Sequence, residues 1–172
     1  MLKVFFKNSF VYTVGNVLTR SVAIFLLPIY TKYLSPAEYG IIDLFVVIAS
    51  IINLTIALEI SQGIARYYQD AKNEKEKTEY TSSAFWFTVL VYLLFVSLSL
   101  AFSNILTFWL LEDISKKTIF LLAVFAIGTN GIFYFTQNQL KWQIQAKDSL
   151  ITSLINVTIV ASVAVYLLLV EG

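Results

Sequence analysis

The chain has no cysteine and no histidine, and only 13% of its 172 residues are charged, about half the ~25% of an ordinary soluble domain. Without cysteine there is no disulfide, thiolate nucleophile or iron–sulfur ligand set. Without histidine the commonest general base and metal ligand is missing. Neither a metal nor another cofactor is expected. A net charge of +1, with no basic face outside the apolar stretches, leaves no case for nucleic acid. The little charge there is falls unevenly. Asn8–Thr31, Leu44–Ala65, Tyr80–Leu111, Thr118–Leu140 and Ser149–Val170 hold only two charges between them, Arg20 and Glu59. A hydrocarbon slab ~30 Å thick excludes charge from ~20-residue segments in this way.

These runs predict an all-α, polytopic membrane helix bundle, a single membrane domain over 1–172. Five transmembrane helices are expected at about 8–33, 37–68, 81–111, 117–140 and 148–170, with a polar cytoplasmic loop at 69–80 whose charged core is read as a solvated loop or helix extension. Lys3 and Lys7 precede an apolar run too long for a cleavable signal and without a small-residue cleavage site, so the first helix serves as its own insertion signal. Orientation follows the distribution of Lys and Arg. Lys3, Lys7, Arg66, Lys72, Lys75, Lys77, Lys141 and Lys147 lie at the N-terminus and in the second and fourth loops, against Lys32, Lys116 and Lys117 in the first and third. The N-terminus is thereby expected in the cytoplasm and the C-terminus outside. Trp86 and Trp142 then fall at the inner boundary, and Trp109, Tyr30, Tyr33 and Tyr39 at the outer one, the depth that amphipathic rings favour.

Ser35-Pro36-Ala37-Glu38 combines an N-cap serine, a proline at the first helical position and a glutamate three residues after the cap, and predicts a helix start there. The connection before it is so short that helices one and two are expected to form an antiparallel hairpin. Pro28, near the outer end of helix one, removes a backbone donor and predicts a bend, either a static kink or a moving hinge.

Polar residues inside the spans carry the functional information. Ser9, Thr13, Asn16 and Arg20 form one helical stripe. Glu59, Gly63 and Arg66, with Gln62 beside them, form a second. Asn130, Tyr134, Gln137, Asn138 and Lys141 form a third, and Ser149, Thr152, Ser153 and Asn156 a fourth. With the expected orientation all four lie in the cytoplasmic half of the membrane or near its midplane. They are consistent with a water-filled cavity open to the cytoplasm, or with ordinary inter-helix hydrogen bonding. Arg20 stands roughly 18 Å into its span and Glu59 roughly 10 Å. Each needs a partner, water or a ligand. They either neutralise one another or act separately, Arg20 offering its guanidinium fork to phosphate oxygens and Glu59 orienting it or taking up a cation. Asp43 and Arg66 suit the interface.

The run Leu27-Pro28-Ile29-Tyr30-Thr31-Lys32-Tyr33-Leu34-Ser35-Pro36-Ala37-Glu38-Tyr39-Gly40, after a first helix with Gly15, Asn16 and Arg20, resembles the start of a polysaccharide-biosynthesis flippase of the multidrug/oligosaccharidyl-lipid/polysaccharide exporter superfamily. Ser61-Gln62-Gly63-Ile64-Ala65-Arg66-Tyr67-Tyr68 is similar to the end of that family's second helix. The resemblance implies a bacterial cytoplasmic-membrane transporter that moves oligosaccharide on polyprenyl pyrophosphate between leaflets. It further implies two bundles of six helices around a cationic cavity, and an arginine of the first helix lining that cavity, the place of Arg20. The anionic lipid-linked oligosaccharide would be its partner within the bilayer. Asn16, Asn130, Gln137 and Asn156 would support Arg20 there.

With five helices, the chain is expected to be the incomplete first lobe of such a transporter: a truncated product, a partial sequence, or a subunit completed by a missing C-terminal lobe or another membrane polypeptide. Alternating access needs two bundles about one site. The alternatives are a cation-coupled drug antiporter of the same superfamily using Glu59, a non-transporting assembly subunit, or an inactive remnant. An enzyme is not expected, because Glu59 has no second buried carboxylate or histidine and the hydroxyls have no base beside them.

Overall fold

A computed structural model describes residues 2–55 and 60–171 of the chain, apart from the side chains of 2–9, 11, 16, 19, 20, 23 and 168–171. Of the described residues 93% are helical, and none is in a strand. The helices are α1 (Leu2–Tyr33), α2 (Pro36–Thr55), α3 (Ile60–Asp70), α4 (Glu74–Ala101), α5 (Ser103–Leu111), α6 (Lys117–Trp142) and α7 (Ala146–Glu171), with a 3-10 turn at Ile114–Lys116. Four segments of the described residues are long and apolar enough to cross a membrane: Pro36–Thr55, Glu74–Ala101, Ile114–Trp142 and Ala146–Leu167. Large apolar side chains point outward along them, Trp86 at 67% exposure and Leu122 at 66% among them, as lipid-facing helices require and soluble ones avoid. The chain is a multi-pass membrane protein.

Its contacts divide it into two compact units, one of Met1–Gly40 with Leu140–Gly172 and one of Ile41–Gln139. In the first, α1 lies along α7. Gly15 makes this close approach possible, because a β-carbon there would stand 2.8 Å from Cδ1 of Leu150. α1 continues through Pro28, whose ring is exposed, and ends at Tyr33. The helix start predicted at Ser35 forms as a capping box. The Glu38 carboxylate accepts from the Ser35 backbone N–H at 2.8 Å and hydroxyl at 2.7 Å, and the Glu38 N–H reaches the Ser35 Oγ at 3.4 Å. Between α6 and α7 the chain turns through Ile144 in the left-handed region, φ 59°. The Gln145 N–H bonds to the Leu140 carbonyl at 2.9 Å and the Ile144 N–H to that of Lys141 at 3.1 Å, the Schellman pattern that satisfies a helix C-terminus.

The second unit is built around Phe45, Ile52, Tyr92, Leu111, Phe120, Val124 and Ile127. In hydrocarbon such a core is held by close packing rather than by exclusion of water, and Gly128 serves that packing: a β-carbon there would lie 2.9 Å from Cγ2 of Val96. The polar stretch 69–80, expected as a solvated loop or a helix extension, is mostly helix. Only residues 71–73 separate α3 from α4. Asn73 caps α4 by accepting from the Glu76 N–H at 2.9 Å, and the Glu76 carboxylate accepts from the Lys72 N–H at 2.9 Å. The Lys77 ammonium stands 5.5 Å over the Tyr68 ring and the Tyr67 and Tyr80 rings are 6.1 Å apart, which holds α3 against α4.

Candidate functional site

Two contacts define how α2 and α6 run. The ring of Phe45 on α2 is 6.3 Å from that of Phe120 on α6. Further along, the Asn138 amide of α6 donates to the Ser61 hydroxyl of α3 at 3.2 Å, both residues buried. Both chains advance from the first contact to the second, so the segments are parallel, and Asn53 and Asn130 come level between the two contacts. At 1.5 Å per residue, Asn53 lies roughly 12 Å beyond Phe45 and Asn130 roughly 15 Å beyond Phe120.

Between α2 and α6 a cleft of about 650 Å³ opens. Its walls are apolar, from Ile41 to Ala49 on one side and Ile119 to Ile127 on the other, and Ser50, Asn53 and Asn130 close its polar end. Among the described residues, no charged one lines it. The Ser50 hydroxyl is spent on its own helix, donating to the Val46 carbonyl at 2.9 Å. The Asn53 Oδ1 accepts a hydrogen bond from the Tyr92 hydroxyl of α4. Tyr92 is 2% exposed and reaches Asn53 across Gly131. The side chain of Asn130, an exposed residue halfway along α6, makes no hydrogen bond to any described residue.

The other expected site residues are distributed as follows. Glu59 lies outside the described residues. Asn16 and Arg20 lie on α1 with side chains outside the description, so their contacts, and any pairing of Arg20 with Glu59, lie outside it too. Gln137 is buried on α6, 7% exposed and engaged with a partner. Asn156 is half-buried on α7. Among the remaining stripe residues, Thr152 turns its hydroxyl back to the Asp148 carbonyl at 2.7 Å, and Asn138 joins α6 to α3. Arg66, Gln62 and Gly63 are exposed on α3.

The stripes therefore contain both packing glue and open polar positions. The pair that sequence reasoning missed is Asn53 with Tyr92. Its signals are slight: one carboxamide in the apolar run Val46–Thr55, and a tyrosine where Val91–Val96 is otherwise aliphatic or Phe.

Comparison with known proteins gives one match. The family model described as polysaccharide biosynthesis protein matches residues 5–171. No curated protein and no solved structure matches.

Proposed function

The chain belongs to the polysaccharide biosynthesis protein family, and on that footing we propose that it forms part of a flippase that carries polyprenyl-pyrophosphate-linked oligosaccharide across the bacterial cytoplasmic membrane for cell-surface polysaccharide synthesis. The match over residues 5–171 carries this reading. The apolar helices and the polar positions within them support it. In this reading α1 is a fifth span, the N-terminus is cytoplasmic and the C-terminus outside. Arg20 meets the pyrophosphate, since a guanidinium donates paired, charge-assisted hydrogen bonds to phosphate oxygens. Asn16 and Asn156 give it polar surroundings. The role is transport without covalent chemistry, and any second lobe or partner subunit completes the path by moving against this one.

The test is Arg20→Ala in cells whose surface polysaccharide depends on this protein. The expected result is loss of surface polysaccharide and build-up of the lipid-linked precursor, with normal membrane insertion. Export at the wild-type level by that variant would overturn the role of Arg20. An ion-coupled antiport reading would instead make Glu59→Gln the variant that stops transport.

A further inference from the structure

The cleft between α2 and α6 combines two features that do not suit hydrocarbon. Its polar end presents carboxamides level with the middle of α6, where a polar group left without a partner is strongly disfavoured in lipid. One of these carboxamides is also held in place. Tyr92 occupies the Asn53 Oδ1, so the amide turns its NH2 donors away from the occupied oxygen. Gly131 leaves the room in which the Tyr92 ring lies. Asn130, one residue before Gly131, adds a second carboxamide with both a donor and an acceptor free among the described residues.

A lipid tail filling this cleft would leave the Asn53 NH2 and the whole Asn130 carboxamide unpaired. An anion would find no positive side chain among the described lining residues, and charge pairing is what anionic sites supply. The occupant that fits has neutral oxygens to accept from NH2 groups and C–H faces to lie on apolar walls. Sugars have both. The volume, about 650 Å³, lies within the range of small-molecule sites.

We propose that this cleft is a contact site for the uncharged sugar portion of the lipid-linked substrate, in which Asn53 and Asn130 hydrogen-bond to sugar hydroxyl or acetamido oxygens and Tyr92 positions Asn53. The proposal rests on the flippase reading above and assigns the sugar and the pyrophosphate to different residues.

The experiment uses the full chain reconstituted in phospholipid nanodiscs and two probes, polyprenyl pyrophosphate and the same lipid bearing N-acetylglucosamine. The wild type is expected to hold the glycosylated probe about ten-fold more tightly. Asn53→Ala, Asn130→Ala and the positioning variant Tyr92→Phe are expected to abolish most of that preference while binding the bare lipid as the wild type does. A preference retained in all three variants, or absent in the wild type, overturns the proposal and leaves the flippase reading standing. Binding of neither probe by the wild type overturns both.

A second measurement does not depend on those variants folding with full affinity. The protein has no native cysteine, so Asn130→Cys can be labelled selectively by a charged, water-soluble thiol reagent. Labelling that the glycosylated lipid blocks and the bare lipid does not is the expected result. A thiol already shielded without ligand means that a lipid tail or a partner helix fills the cleft, and overturns the proposal.

Discussion

The ring of Tyr92 lies over Gly131 so closely that a β-carbon at position 131 would stand 1.9 Å from its Cζ. Alanine ordinarily improves a helix interior by about 1 kcal/mol over glycine, but here the ring is buried, 2% exposed, and its hydroxyl is tied to Asn53. Overpacking of a core costs about 1–3 kcal/mol, so the clash outweighs the propensity gain. Gly131→Ala should lower the thermal midpoint of the purified protein by several degrees, and adding Tyr92→Leu should recover much of the loss. A Gly131→Ala protein as stable as the wild type would show that the ring moves freely.

This relationship also marks where the sequence ceases to be legible. Apolar runs located the helices, because exclusion of charge from hydrocarbon acts on every residue of a span. Ser35 and Glu38 announced the start of α2, because a capping box is local. Gly131 under Tyr92, and Tyr92 against Asn53, are contacts between residues 39 apart in sequence, and nothing local in either helix reports them. Hydropathy marks only where the chain becomes apolar, near residue 80, and left a solvated loop and a helix extension open before it; the helix begins at Glu74 because Asn73 and Glu76 cap it. The polar stripes were visible, but a stripe does not distinguish Asn138, bonded to Ser61, from Asn130, which faces a cleft.

The capping box at Ser35 offers a direct stability test. Its hydroxyl and backbone N–H both donate to the Glu38 carboxylate, and loss of such a cap costs about 1 kcal/mol. Ser35→Ala is expected to lower the thermal midpoint by a few degrees. Ser35→Asp keeps an acceptor for the Glu38 N–H but sets two carboxylates together, so it should be no better than alanine. A stabilised Ser35→Asp would mean that the serine acts only as an acceptor.

Asp113 supplies a pH dependence. The Ser115 side chain and then its backbone N–H, at 2.9 Å, hydrogen-bond to the carboxylate and hold its pKa below the ordinary 3.8, with Lys116 helping. A carboxyl group whose pKa is lower when folded contributes stability that is present above the unfolded value and lost as the pH falls through the folded one. The protein should therefore lose part of its stability as the pH drops below about 4, and Asp113→Asn should flatten that portion of the curve. Thermal midpoints of both proteins across that interval decide it. Parallel curves would remove Asp113 as a cause.

Thr107 is fully buried in α5, 0% exposed, and its hydroxyl has no hydrogen-bond partner among the described residues. A buried polar group without a partner costs about 1–3 kcal/mol, and valine has nearly the same shape. Thr107→Val should raise the thermal midpoint by a few degrees with no change in membrane insertion. A lower midpoint would show that the hydroxyl bonds in the folded protein.

Ile144 turns the chain between α6 and α7 at φ 59°, a conformation that costs an L-residue roughly 1–2 kcal/mol and is rarest for a β-branched one. The two hydrogen bonds of the turn, Gln145 N–H to Leu140 and Ile144 N–H to Lys141, involve only backbone, so they survive a change of side chain. The side chain is 60% exposed and contributes little packing. Glycine, the usual residue at this position of a Schellman turn, removes the strain and widens the unfolded ensemble, two effects of opposite sign. Asparagine tolerates the left-handed region without the added freedom of glycine. Ile144→Asn should thus stabilise the protein more than Ile144→Gly, with both at or above the wild-type thermal midpoint. Destabilisation by both would mean that the isoleucine side chain is held by lipid or by another chain strongly enough to outweigh its backbone strain.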